Sequence, residues 1–272
     1  MEEIKEPIDI IILNFNGLEF SKGCINSLYN NTDYPFNLII VDNASEEEGT
    51  EEYFESLKKK YNNVIIHYNK TPDSGFAGGN NIGLSYSKHD YVMLLNNDIL
   101  IPGSNKLWLR ELKNIFKLDT KIAIVGPKLL YPNNLIQSAG SYLDKNTFSA
   151  PVFPFYHRGR FESKEKYSQI DELSCITFAC ILAKRELLGF LDEEYKIGTF
   201  EDNDKCMEIR SKGYKIYYNG KIELYHYEGA TLYKKPRDLL SKLMNENYLI
   251  FQRRWIEQIK SDLKIDPKIY GW

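Results

Sequence analysis

Short apolar runs, mostly β-branched, alternate with longer mixed stretches through the first hundred residues. Ile8 to Leu13, Leu38 to Val41, Val64 to Tyr68 and Tyr91 to Leu95 have the length and composition of buried strands. Leu18 to Tyr29, Glu47 to Lys60 and Asn80 to Lys88, lying between them, are compatible with helices. This βαβ rhythm predicts an α/β fold with a mostly parallel central sheet flanked by helices on both faces. In such a sheet the residues that follow the strands share the carboxyl edge, where ligands bind. Here those residues are polar: Asn14, then Asp42 and Asn43, then Asn96, Asn97 and Asp98, the last group followed closely by the breaker Pro102-Gly103.

Further along, Leu107 to Leu118 reads as a helix and Ile122 to Val125 as a strand. Periodicity fails from about Ser141 to Asp171, where Phe148 to Arg158 mixes aromatics, prolines and charges. That composition predicts a long loop or irregular excursion within one domain. Regular structure resumes over Cys175 to Ala183, a helix is expected from Glu201 to about Lys212, where Gly213 stops it, and Tyr214 to Tyr218 reads as a strand. From Arg237 to Ile259, Leu240, Leu243, Met244, Tyr248, Phe251 and Trp255 recur at three- and four-residue spacings, the pattern of an amphipathic helix. Lys234 to Lys268 holds nine Lys or Arg against five Asp or Glu, which raises a peripheral contact with an anionic membrane. The aromatics of the same segment suit packing on the sheet, or on a second subunit of a homodimer, equally well.

At 272 residues, 43% hydrophobic and 14% aromatic, the chain can bury a substantial core. A formal charge of -3 gives no general attraction to nucleic acid. Cys24, Cys175, Cys180 and Cys206 form no C-x-x-C pair, so they read as four reduced thiols filling the core. The acidic N-terminus lacks the regions of a signal peptide, and no apolar stretch approaches the roughly 20 residues that span a bilayer. A cytoplasmic protein is expected, with peripheral contact at the inner face of a membrane left open.

One carboxylate at a strand end is often only a turn former or helix cap. Asp42 and Asp98 on one predicted edge point further: one carboxylate there can accept the imide N–H of a uracil or thymine, and a second can ligate a divalent cation bridging a diphosphate. The glycine-rich run Asp73 to Asn81, with Gly75, Phe76 and Asn80, has the composition that close backbone approach to a nucleotide requires, and it leads into a helix N-terminus. It fits neither G-x-G-x-x-G nor the Walker motif. Glu201 and Asp202 open a helix, where acids complement the dipole, and His226 stands between Tyr225 and Tyr227.

Taken in order, Leu13-Asn14-Phe15-Asn16-Gly17, Val41-Asp42-Asn43-Ala44-Ser45, Gly75 to Gly83, Leu94 to Asp98, Phe200 to Asp204 and His226 to Thr231 make the chain resemble the inverting sugar transferases of glycosyltransferase family 2, in the rhamnosyltransferase-like branch, over roughly Ile8 to Tyr233. The resemblance implies the GT-A (Rossmann-like) fold, with a glycosyltransferase domain at 1–233, its nucleotide-sugar half at 1–100 and its acceptor half at 101–233, and a C-terminal helical tail at 234–272. It implies that Asp42 reads the pyrimidine, that Asn14, Asn16, Asn43, Asn96 and Asn97 line the nucleotide pocket, and that Gly75, Phe76 and Asn80 close over the donor. It implies Mg²⁺ or Mn²⁺ held by Asp98 and His226, with Asp202 as general base and Glu201 beside it. Thr177 and Phe178, with the aromatic loop at 153–156, fall on the acceptor side. The donor implied is a UDP- or dTDP-sugar, dTDP-rhamnose among them, and the acceptor a glycan or lipid-linked hydroxyl. Asn96 departs from the first acid of the family's D-x-D element and brings no charge to a metal. Two other readings remain at this stage: a nucleotidyltransferase, which would want a basic glycine-rich loop after the first strand, and a glycan- or nucleotide-binding module whose site has decayed.

Overall fold

The computed structural model describes residues 6–71, 75–143, 155–228 and 237–263. Three parallel β/α units come first: β1 (Ile8–Asn14), α1 (Leu18–Asn30), β2 (Phe36–Asp42), α2 (Thr50–Lys60), β3 (Val64–Tyr68), α3 (Gly75–Tyr86) and β4 (Tyr91–Leu95). The two-residue β5 (Ile99–Leu100), α4 (Trp108–Ile115), β6 (Ile122–Leu130) and the short strands β7 (Ile136–Ser138), β8 (Ser141–Leu143), β9 (Phe155–His157) and β10 (Ile170–Leu173) follow. Then come β11 (Cys180–Lys184), α5 (Arg185–Leu188), α6 (Glu201–Ser211), β12 (Lys215–His226) and the 27-residue α7 (Arg237–Leu263).

One sheet runs through the molecule in the order β10-β12-β6-β11-β4-β1-β2-β3, with β5 added to β12 and β7 to β6. The pairs β1–β2, β1–β4, β2–β3 and β6–β12 are parallel, and β11 lies antiparallel between β4 and β6. The expected donor and acceptor halves therefore share one sheet. Side-chain alternation in the strands divides two apolar layers. On β1, Ile8, Ile10 and Ile12 pack with Cys24 and Leu28 of α1, Phe54 of α2 and Trp108 of α4, whereas Ile11 packs with α3, α6 and α7 on the opposite face. All four cysteines are buried and free, as the sequence suggested.

Three elements differ from the sequence reading. The glycine-rich run is helical from Gly75 onward, because Gly79 and Gly83 face β1: a Cβ at either would collide with the side chain of Leu13 or Ile11. Strand β12 continues past Tyr218, where the sequence reading ended it, through a bulge at Asn219-Gly220, and the chain around Gln169 packs so tightly there that only glycine fits at 220. The excursion at 141–171 is partly regular. It carries β8, β9 and β10, and two buried cations staple it down. Lys128 donates to Lys164 O at 2.5 Å and Ser168 Oγ at 3.2 Å, and Arg158 bonds Asp171 and Tyr142 at 2.6 Å each. Residues 144–154, including Phe153 and Pro154 of the expected acceptor loop, lie outside the described residues.

The predicted C-terminal helix is present and is an integral part of the fold. Phe251 and Ile259 are buried, and its cations Arg253 and Arg254 pair with Glu194 and Asp192 of the loop before α6. Asn247 is fully buried. Its Nδ2 donates to Lys196 O (2.7 Å), Thr199 O (3.0 Å) and Thr199 Oγ1 (2.8 Å), and its Oδ1 accepts from Lys196 N (3.0 Å). That segment needs such a clamp, since Ile197, Gly198 and Phe200 all have left-handed φ (69°, 103° and 73°) just before α6 begins. Asn247→Ala strands these partners, which costs about 2–4 kcal/mol. A fall in Tm of roughly 5–15 °C is expected in a thermal melt; an unchanged Tm would show that the loop is held by other contacts.

Candidate active site

Parallel register brings the polar strand ends together. Asn14 pairs directly with Asp42 across β1 and β2, and β4 ends beside them. Because β11 runs the other way, its entry from Thr177 to Ala179 lies at the same edge, and Asn96 N donates to Ala179 O at 2.8 Å. Strand β12 delivers His226 opposite Ile99 of β5, one residue from Asp98. Five separate sequence clusters thus meet on one edge.

Asp42 is buried and held by donors. Its Oδ1 accepts from Asn14 Nδ2 (2.7 Å) and Ser45 Oγ (2.6 Å), and its Oδ2 from Ser45 N (3.0 Å). Asn14 is fully buried and accepts from Ser21 Oγ (2.5 Å) and Asn97 Nδ2 (3.0 Å), so it positions Asp42 and lines no pocket itself. Asn16, in a left-handed conformation, caps the turn at Glu46 and Glu47 through Oδ1. Asn43 accepts from Asn69 Nδ2 at 2.9 Å. The result is a rigid polar shelf that fixes one carboxylate at its rim.

The Asp98–His226 pair is different in kind. Both side chains are almost fully buried, and His226 Nε2 stands 3.1 Å from Asp98 Oδ1. Among the described residues no hydrogen-bond donor serves that oxygen. An orphaned carboxylate oxygen beside an imidazole nitrogen is a donor set that fits a divalent cation, and these two residues would hold one. Among the described residues no cluster of three or more His, Cys, Asp or Glu side chains is present, so within them this pair alone would be the protein's share of such a coordination. Asn96 is partly buried next to them and adds no charge.

At the start of α6, burial pushes the Asp202 carboxyl up to about 6, against opposition from the backbone N–H groups of Asn203, Phe178 and its own residue. Asn203 N donates to Asp202 Oδ1 at 2.7 Å. Glu201 is buried, its Oε2 has no hydrogen-bond partner among the described residues, and burial followed by the nearby Asp202 charge drives its carboxyl well above the usual range. Burial thus raises both carboxyls, Glu201 further with the Asp202 charge beside it, and Asp202 to about 6. Asp204 faces away and accepts from Tyr195 Oη (2.8 Å), Trp255 Nε1 (2.7 Å) and Arg254 Nη1 (3.3 Å), tying α6 to α7.

Other expected contacts are placed differently. Asn80 is buried with its Nδ2 donated to Phe76 O at 2.9 Å, and Phe76 packs against the core with Gly198 at its Cβ. Gly75 sits near the Ile197 backbone, while Asp73 and Ser74 lie outside the described residues. Phe178 is 1% exposed, so its side chain is core and its backbone N–H, which holds Asp202, is what it brings to the site. Thr177 is partly buried and its Oγ1 accepts from Ala179 N at 3.4 Å. Ser21, Ser45, Gln137 and Asn247 carry roles that sequence reasoning missed. Ser45 stood within a quoted motif, but an isolated Gln in a short apolar segment carries no pattern.

A sequence model for the family described as "Glycosyl transferase family 2" matches residues 9–189. The chain is 23% identical over 229 residues to the O-antigen biosynthesis protein RfbC of Myxococcus xanthus, covering 82% of this chain and 17% of RfbC. It spans less than a third of the length of the first curated relatives it matches. Among solved structures, GalNAc-T7 with UDP, GalNAc and Mn²⁺ superposes with a TM-score of 0.71 at 15% identity, over 94% of this chain and 50% of that one. The mannosyltransferase PcManGT of Pyrobaculum calidifontis, in complex with GDP-Man and Mn²⁺, gives 0.60 at 15% identity, over 96% and 74%. At that identity the likeness establishes the GT-A fold alone.

The Glu201 environment has a measurable consequence. An acid whose folded pKa is raised costs stability once the unfolded chain ionises, so the cost grows as pH rises through the ordinary Glu value of about 4.3. Glu201→Gln carries no such cost. Its Tm should exceed that of the parent at about pH 8 and converge with it at about pH 4; equal Tm differences at both pH values would place Glu201 in a wetter setting.

Proposed function

We propose that this chain, which belongs to glycosyl transferase family 2, is an inverting sugar transferase that takes its sugar from a UDP- or dTDP-linked donor, dTDP-rhamnose among the candidates, and delivers it to a hydroxyl of a glycan or lipid-linked acceptor. The observation that carries the reading is the juxtaposition of Asp98 and His226, 3.1 Å apart, at the edge where Asp42 is also held. Asp42 keeps a lone pair on Oδ2 for an imide N–H, the group that uracil and thymine share and cytosine lacks. Guanine also carries such an N–H, so GDP is a necessary comparison.

Bound at Asp98 and His226, Mg²⁺ or Mn²⁺ would neutralise charge developing on a departing nucleoside diphosphate. The chain's own residues do the rest. Asp202, ionised above about pH 6, accepts the acceptor hydroxyl's proton on its carboxylate as that oxygen attacks the anomeric carbon. With one base and no separate nucleophile, displacement is direct and inverts the anomeric centre. Phe178 N–H and Asn203 N–H orient the carboxylate, and burial raises the carboxyl of Glu201 beside it, which disfavours a second negative charge there.

A thermal-shift panel of UDP, dTDP, GDP and CDP, each with and without Mn²⁺, tests the donor. Stabilisation by UDP or dTDP that depends on Mn²⁺ and vanishes in Asp98→Ala is expected. Equal response to all four, or to GDP alone, would reject the pyrimidine reading.

Release of nucleoside diphosphate tests the base. Asp202→Asn should lower turnover by about 10²- to 10⁴-fold with donor affinity nearly unchanged. In the parent, kcat/KM should fall about tenfold per pH unit below pH 6, because protonation removes the base. An active Asp202→Asn enzyme that keeps the same acid limb would assign the proton transfer to another group.

A further inference from the structure

We propose that Gln137 is a positioning residue that selects the tautomer of His226, and that Glu228 in turn selects the orientation of Gln137. The inference rests on the reading of Asp98 and His226 as the metal-holding pair, and it concerns a residue that belongs to no motif.

Gln137 lies in β7, buried beside the last residue of β12. One end of its amide approaches His226 Nδ1 at 2.6 Å. The other end is 3.4 Å from the main-chain oxygen of His226 and 3.4 Å from Glu228 Oε2. Both groups at that second end are acceptors, and one is a carboxylate. Only the NH₂ of the amide can face them; the flipped amide would set its oxygen against two oxygens.

The oxygen of Gln137 must then face Nδ1, and an acceptor at 2.6 Å requires Nδ1 to carry the proton. A neutral imidazole has one N–H, so Nε2 keeps its lone pair and presents it toward Asp98 Oδ1, 3.1 Å away. Were the proton on Nε2, that nitrogen would present an N–H where a cation needs a lone pair. Gln137 thus keeps Nε2 free for a cation beside the unpartnered Asp98 Oδ1.

Glu228 is itself fixed. Its Oε2 accepts from Tyr131 Oη at 2.9 Å, and Arg160 Nη2 contacts both of its oxygens at 3.3 Å. Phe161 stacks on Tyr131 with ring centroids 5.4 Å apart and ring planes nearly parallel at 7°. The excursion that follows β9 therefore reaches His226 through Glu228 and Gln137.

Two measurements on the whole chain test this. The first is the imidazole ¹⁵N–¹H correlation spectrum of metal-free protein at about pH 8.5, two units above the ordinary imidazole value. The chain has four histidines, and the His226 signal is the one lost in His226→Gln. The parent should show His226 protonated at Nδ1. Gln137→Met, similar in length but without the acceptor, should move the proton toward Nε2. The second is Mn²⁺ affinity by electron paramagnetic resonance, expected to fall about 10- to 100-fold in Gln137→Met.

Exchanging the two partners, Gln137→Glu with Glu228→Gln, restores an acceptor for Nδ1–H and should return both readouts close to the parent, which a loss of packing alone would not do. A parent that carries the proton on Nε2 overturns the proposal, even should Gln137→Met fail to fold. Unchanged tautomer and Mn²⁺ affinity in a folded Gln137→Met also overturn it. A parent with Nδ1–H that binds no Mn²⁺, alone or with UDP, overturns the metal reading of the pair and leaves the tautomer assignment standing.

Discussion

A carboxylate taken out of water must be supplied with hydrogen-bond donors or it stays close to protonation, and this chain treats its buried acids in two ways. Asp9, at the start of β1, is fully supplied: burial would raise its pKa, but His89 N–H, Asn37, Lys88 N–H and the His89 ring outweigh it and hold the group below the usual value. Asp42 and Asp204 each have three donors. Asp98 and Glu201 each keep an oxygen with no hydrogen-bond partner among the described residues, and at Asp202 three backbone N–H groups do not offset the effect of burial. All three belong to the candidate site, whereas other buried atoms without partners, such as Tyr53 Oη and Arg158 Nη2, lie outside it.

Leaving acids short is tolerable only on a rigid support. The shelf under Asp42 is one such support, with Asn14, Ser21, Ser45 and Asn97 satisfying one another's donors and acceptors. Close packing of α3 on β1 is another. Gly79 and Gly83 serve that contact, and the close approach that the glycine run suggested is to the protein's own strand.

What could be read from the sequence follows from the range of each signal. Strands β1, β2 and β4 were legible because both their faces are largely buried and their runs mostly apolar, β3 because it is β-branched though only partly buried, and α1, α2 and α6 because their ends carry Gly or charged residues. The polar strand ends were legible as a group, since parallel order alone places Asn14, Asp42 and Asp98 on one edge. The short strands β5 and β7 to β10 were not, because two to four residues hold no period, and their place depends on Lys128, Arg158 and Gly220 meeting partners far away in sequence. Nor could the side chain of Phe178 be assigned. Periodicity cannot say that a residue beside an active site turns its ring into the core and offers its N–H to the site.

The C-terminal helix shows the same limit on a larger scale. Its amphipathic spacing announces a buried stripe without naming what the stripe covers. In the fold, α7 lies behind α6: Trp255 and Arg254 hold Asp204, and Asn247 clamps the left-handed segment from which α6 starts. Asp202 is borne on the first turn of that helix, and desolvation raises its carboxyl against the opposing backbone N–H groups of Asn203 and Phe178. A small rotation of α6 would expose Asp202 to water and return it toward the ordinary carboxylate range, where it is a weaker base. The helix that the sequence sets apart as a tail therefore helps to hold α6, and with it the acid of the proposed site.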